Sequence, residues 1–132
     1  MKGFSINIED ATLENENFRK VLYTAKHSQL VLMSLKPGEE IGMETHEEND
    51  QFLRVEKGQG KCIINGYEHE IGKGSAMIVP AGSQHNVINT MKTCPMKLYT
   101  VYSPPHHKDK IVRATKEEAE NNSAEFDGIT TE

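Results

Sequence analysis

The chain has 132 residues, 27% of them charged and 36% hydrophobic, which suits one domain: long enough to bury a core, too short for two. No apolar run approaches the roughly 20 residues of a membrane helix, Cys62 and Cys94 are too few for a disulfide scaffold, and three arginines without a basic cluster leave no electrostatic footprint for nucleic acid. The net charge of −5 lies wholly beyond residue 115, where Lys116 stands against Glu117, Glu118, Glu120, Glu125, Asp127 and Glu132. In chain order, the N-terminus has no apolar stretch of the signal-peptide kind and turns acidic at once, so a cytoplasmic location is expected. Residues 2–8 read as a short strand with Phe4, Ile6 and Ile8 on one face. Nine alternating segments follow, at 19–25, 29–35, 41–46, 51–56, 61–64, 67–71, 76–79, 85–89 and 96–103. Pro37-Gly38, Gly58-Gln59-Gly60, Asn65-Gly66, Gly72-Lys73-Gly74 and Pro80-Ala81-Gly82 punctuate them. Asn65-Gly66 is the strongest of these turns, because both residues tolerate the positive φ of a two-residue hairpin. Many short strands with little helix between them indicate an all-β sandwich or barrel over residues 1–115. Residues 116–132 differ: Thr115 to Glu118 fits a capping box, which starts a short polar surface helix through about Asn122, followed by an acidic tail.

Two segments carry chemistry. In the first, Glu44 and His46 are two apart on an extended strand and project from one face. After a turn, Gln51 shares its face with Leu53 and Val55, and a polar side chain heading an apolar face needs a partner inside. In the second, His85 likewise shares a face with Val87 and Asn89.

These segments resemble the two motifs of the cupin superfamily. Gly38, Glu44, His46, Gln51 and Gly58 stand at the intervals of the first motif, and Gly74, Pro80, Gly82, His85 and Asn89 at those of the second. The resemblance spans residues 38–89 and implies a double-stranded β-helix, a cupin jelly-roll barrel. It also implies one divalent metal ion, held at Glu44, His46, Gln51 and His85. The family's usual set is three His and one Glu; here Glu44 replaces the first His and Gln51 replaces the Glu. The site keeps one carboxylate, loses one imidazole and gains an amide oxygen, which shifts it toward harder cations and leaves Zn, Mn, Fe and Ni open. Gln51 could instead bind substrate or support a ligand from behind. The ligand set is similar, in a different order, to that of type I mannose-6-phosphate isomerases, and the chain resembles small bacterial proteins called mannose-6-phosphate-isomerase-like. Small cupins often dimerise through an N-terminal strand, so the 2–8 stripe implies a homodimer.

Other candidates receive plainer readings. Glu47, Glu48 and Asp50 read as a solvated acidic turn, and His106-His107 as a surface pair whose rings point apart. His27 and His69 receive no role. Of Tyr99 and Tyr102, which lie on opposite faces, one looks into the barrel and parity does not decide which. No general base is identifiable once Glu44 is a ligand, and Arg54 and Lys57 give no grip on a phosphate. Three functions follow for a small-molecule ligand: an isomerase-like metalloenzyme on a sugar or other oxygenated metabolite, a metal-dependent dioxygenase, or a non-catalytic metal-bearing binding module.

Overall fold

The alternating segments close into two antiparallel sheets in a computed structural model that describes residues 1–132. Helix α1 (Ile8–Glu14) is followed by β1 (Arg19–Thr24), β2 (Gln29–Leu35), β3 (Glu44–Thr45), β4 (Asp50–Lys57) and β5 (Gln59–Ile64). Then come β6 (Tyr67–Gly72), β7 (Ala76–Val79), β8 (Gln84–Asn89), β9 (Met96–Ser103), β10 (Val112–Arg113) and α2 (Lys116–Asn121). One sheet runs β10-β1-β2-β9-β4-β7 and the other β3-β8-β5-β6, the jelly-roll arrangement expected. No helix is long and apolar enough to cross a membrane.

Burial follows the pleat. On β4, Gln51, Leu53 and Val55 are buried while Phe52 and Arg54 are half-buried on the outer face. Leu53, Val55, Cys62, Val87, Met96 and Leu98 are wholly buried and fill the interior. Asn65 and Gly66 take φ of 49° and 84° and join β5 to β6 with Ile64 opposite Tyr67, as the turn signal predicts. The motif glycines Gly38, Gly58, Gly74 and Gly82 all have positive φ, so those positions serve the turns before they serve any chemistry.

The structure corrects the sequence reading at the chain's start. Residues 2–7 form no strand; Asn7 caps α1 by accepting the Asp10 N–H, and Glu9 and Asp10 complement the positive end of the helix. Helix α1 lies over the outer face of β2, β4 and β9, where the Lys97 ammonium donates to the carbonyl of its C-cap, Asn15. Residues 41–46 shrink to the two-residue β3, because Gly42 turns at φ 105° and gives its N–H to Asn86 Oδ1. Thr115 caps α2 as expected, but Glu118 reaches the Ala114 N–H, and the helix is not wholly polar: Ala119 is buried against the core. The tail then returns across the barrel. His107 bridges Glu125, Phe126 donates to the His106 carbonyl, and Thr131 donates to the Thr24 carbonyl.

Candidate metal centre

β3 and β8 set the centre. Their ladder pairs Glu44 directly with His85, and His46 follows two residues after Glu44. A donor atom from each of Glu44, His46 and His85 lies within 4.8 Å of the other two. His46 Nε2 is 3.1 Å and His85 Nε2 3.6 Å from the same carboxylate oxygen, Glu44 Oε1. Donors about 2.1 Å from a shared ion, at octahedral to tetrahedral angles, stand roughly 3.0–3.4 Å apart. The 3.1 Å pair falls within that range and the 3.6 Å pair lies just beyond it, so the three donors converge on one small volume in which an ion could draw them together.

Hydrogen bonding orients them for that task. His85 Nδ1 lies 3.0 Å from the Ser83 carbonyl, so it carries the proton and leaves Nε2 to face the carboxylate. His85 Nε2 is buried and has no hydrogen-bond partner. A bare imidazole lone pair against a carboxylate calls for a positive charge between them, a proton or a metal. Burial alone would raise the Glu44 pKa, but the His46 hydrogen bond and the nearness of both imidazoles hold it well below the usual carboxylate range. Burial works against a charged His85, yet Glu44 and the Ser83 carbonyl prevail and its pKa is raised.

Gln51 is 1% exposed; its Nε2 donates to Thr100 Oγ1 at 3.0 Å, while its Oε1 is buried without a partner. Its β4 position pairs with Tyr102, which stacks edge-on against His46 at 5.6 Å. The donor chemistry of Glu44, His46 and His85 fits a divalent cation; Gln51 adds a buried, uncommitted amide oxygen on β4. Asn89, the last motif residue, is structural: its amide ties down the carbonyls of Leu35, Lys36 and Cys94, and its Oδ1 accepts the Met91 N–H.

His106 and His107 are not a surface pair. The rings lie 4.7 Å apart and turn inward; His107 is 8% exposed and the His106 ring is 4.2 Å from that of His46. The backbone departs from an extended strand because Gln29 Oε1 accepts both of their backbone N–H groups. Burial, reinforced by the neighbouring His46 charge, lowers the His106 pKa to about 4. Burial likewise lowers His107 to about 2, beside a Tyr102 hydroxyl whose own pKa is raised by burial. Tyr102, not Tyr99, looks inward: it is 2% exposed and shares a 3.3 Å hydrogen bond with His107 Nε2. The Pro104-Pro105 dipeptide ahead of the histidines was the available signal that the strand ends there.

The family described as Cupin domain matches residues 31–102. The chain is 47% identical over 125 residues to the uncharacterized protein YrkC of Bacillus subtilis, covering 89% of this chain and 66% of that one. It therefore spans about two thirds of that relative's length. A crystal structure of BH2720 from Bacillus halodurans superimposes with a TM-score of 0.89 at 42% identity, covering 92% of this chain and 96% of that one. A predicted oxalate decarboxylase from Thermotoga maritima is similar at 25% identity and a TM-score of 0.56, covering 60% and 68%.

Proposed function

The chain belongs to the cupin family, and from that premise we propose that it holds one divalent metal ion through Glu44, His46, Gln51 and His85 and acts as an isomerase-like enzyme on a small oxygenated metabolite. The observation that supports this most is the convergence of two imidazole Nε2 atoms on one oxygen of Glu44, a residue that also lines a cavity of about 360 Å³. Such an ion supplies Lewis acidity toward a carbonyl or hydroxyl oxygen. The protein's own part is to orient the ligand set, through the Ser83 carbonyl behind His85 and Thr100 behind Gln51, and to keep a proton acceptor nearby. His106 lines the cavity beside Glu44, and its depressed pKa keeps its ring uncharged near neutrality, able to accept a proton at a ring nitrogen. It fills the role of base that the sequence left without a candidate.

A dioxygenase is the second reading, favoured by the two-histidine, one-carboxylate set, which leaves coordination positions open. Elemental analysis of protein purified without an affinity tag separates the two. Zinc or manganese accords with the isomerase-like activity; iron, nickel or copper accords with the oxygenase. No metal at all would overturn both. A metabolite that raises the melting temperature of the metal-loaded protein without turning over would identify a binding module instead.

A further inference from the structure

Beside Glu44 the cavity is walled by two arginines whose placement needs explaining. Arg19 on β1 pairs directly with Arg113 on β10, so two guanidinium-bearing side chains leave neighbouring strands at opposed positions. Like charges in that relation are destabilising unless something anionic lies between them. No acid in the protein does so: neither arginine forms a salt bridge. Arg19 rests over the Phe18 ring at 5.4 Å, with its Nε buried and unpartnered. Its register partner on β2 is the core residue Met33, which puts its side chain on the interior face. Arg113 is aimed by the Asn122 carbonyl, which accepts from its Nε at 3.1 Å and its Nη2 at 2.8 Å; a carbonyl fixes the fork without neutralising it. Lys116 lines the same wall, and its one acidic neighbour, Glu120, stands 3.9 Å away. The cations of this wall outnumber its acids, Glu44 and Glu120, by one, and a divalent ion at Glu44 would widen the excess.

We propose that Arg19 and Arg113 form an oxyanion-binding subsite, so that the ligand of this protein is a small metabolite bearing a carboxylate or phosphate. The planar forks of arginine suit either group, through paired charge-assisted hydrogen bonds. The anionic end seats between the two guanidiniums, and the other end lies toward Glu44, His46 and His85. For that second end the inference rests on the metal-centre reading; for the anion it does not.

The test is calorimetric titration of the full-length protein, zinc-loaded and zinc-free, with malonate, inorganic phosphate and uncharged glycerol, with zinc stoichiometry measured on the same samples. Malonate or phosphate should bind and glycerol should not, and the tighter anion identifies the group. Arg19→Gln should weaken the anion at least about tenfold, Arg19→Lys should recover part of the loss, and Lys61→Gln, on the other sheet, should change nothing. Zinc binding by Arg19→Gln should match wild type, which also shows that the variant is folded. Should wild type bind neither anion at about 10 mM, or should Arg19→Gln bind as wild type does, the subsite is wrong even if zinc binds. Should zinc fail to bind while the arginine-dependent anion affinity persists, the metal reading fails and the subsite stands.

Discussion

Gln51 and His85 each bury a polar atom with no partner, at positions where the neighbouring strand residues are apolar. An unsatisfied buried polar group costs about 1–3 kcal/mol, and the metal ion we propose would complete both. His46→Ala or His85→Ala should therefore lower metal affinity by about 100-fold or more, and Gln51→Ala by about tenfold, since an amide oxygen is the weakest of the four donors. Zinc titration against a competing chelator measures both. Metal affinity should also weaken on acidification sooner than at an ordinary histidine site, because the raised pKa of His85 lets protons compete at higher pH. His107 gives a separate pH dependence. Its folded pKa, about 2, lies below the ordinary 6.5, so between those values the unfolded chain binds the extra proton. Stability is then full above pH 6.5 and falls as the pH drops, by on the order of 2 kcal/mol between pH 6.5 and 5. Urea unfolding of metal-free protein at the two pH values should show the loss, and His107→Gln should remove most of it. The convergence of Glu44, His46 and His85 and the burial of Gln51 were legible from strand parity and motif spacing. His106 and His107 were not, because their inward turn is set by Gln29, seventy-seven and seventy-eight residues away in the chain.

Among the elements, β8 matters most to the site, since it carries His85 and pairs with both β3 and β5. Gly60 on β5 allows that pairing: a Cβ there would sit 2.0 Å from the Ile88 carbonyl oxygen. Gly60→Ala should thus cost about 3 kcal/mol by forcing the strands apart, read as a lower denaturation midpoint, and zinc affinity should fall with it as β8 shifts. β2, β7 and β9 were legible to the residue: burial of one face fixes the alternation of β7, whereas β2 and β9, covered by α1 on their outer side, were bounded by the turn residues around them. The N-terminal segment was misread because Phe4, Ile6 and Ile8 alternate like a strand, while the Asn7 cap and the acids after it carry the stronger local signal. The two-residue β10 has no periodicity to read; only its pairing with β1 defines it, and that pairing creates the arginine wall.

On the scale of the whole molecule, residues 116–132 act as part of the barrel. Ala119 and Ala124 pack on the core, Thr131 pairs with Thr24, and Glu132 receives the N–H groups of Lys2 and Gly3. Composition showed the acidity of this tail but not its packing, since few of its contacts are apolar. Deleting residues 116–132 should lower the melting temperature and open the wall beside Glu44, which increased histidine reactivity toward diethyl pyrocarbonate would reveal. Phe4 and Ile6 stay 45% exposed, and a homodimer through this segment is our proposal; sedimentation at tens of micromolar should give twice the chain mass, and Phe4→Glu should give the monomer. The central claim is the metal centre itself, and anomalous diffraction at the absorption edge of the metal found by elemental analysis tests it most directly. The account predicts a single anomalous peak about 2.0–2.3 Å from Glu44, His46, Gln51 and His85; a peak elsewhere, or none in crystals grown with the metal, would contradict it.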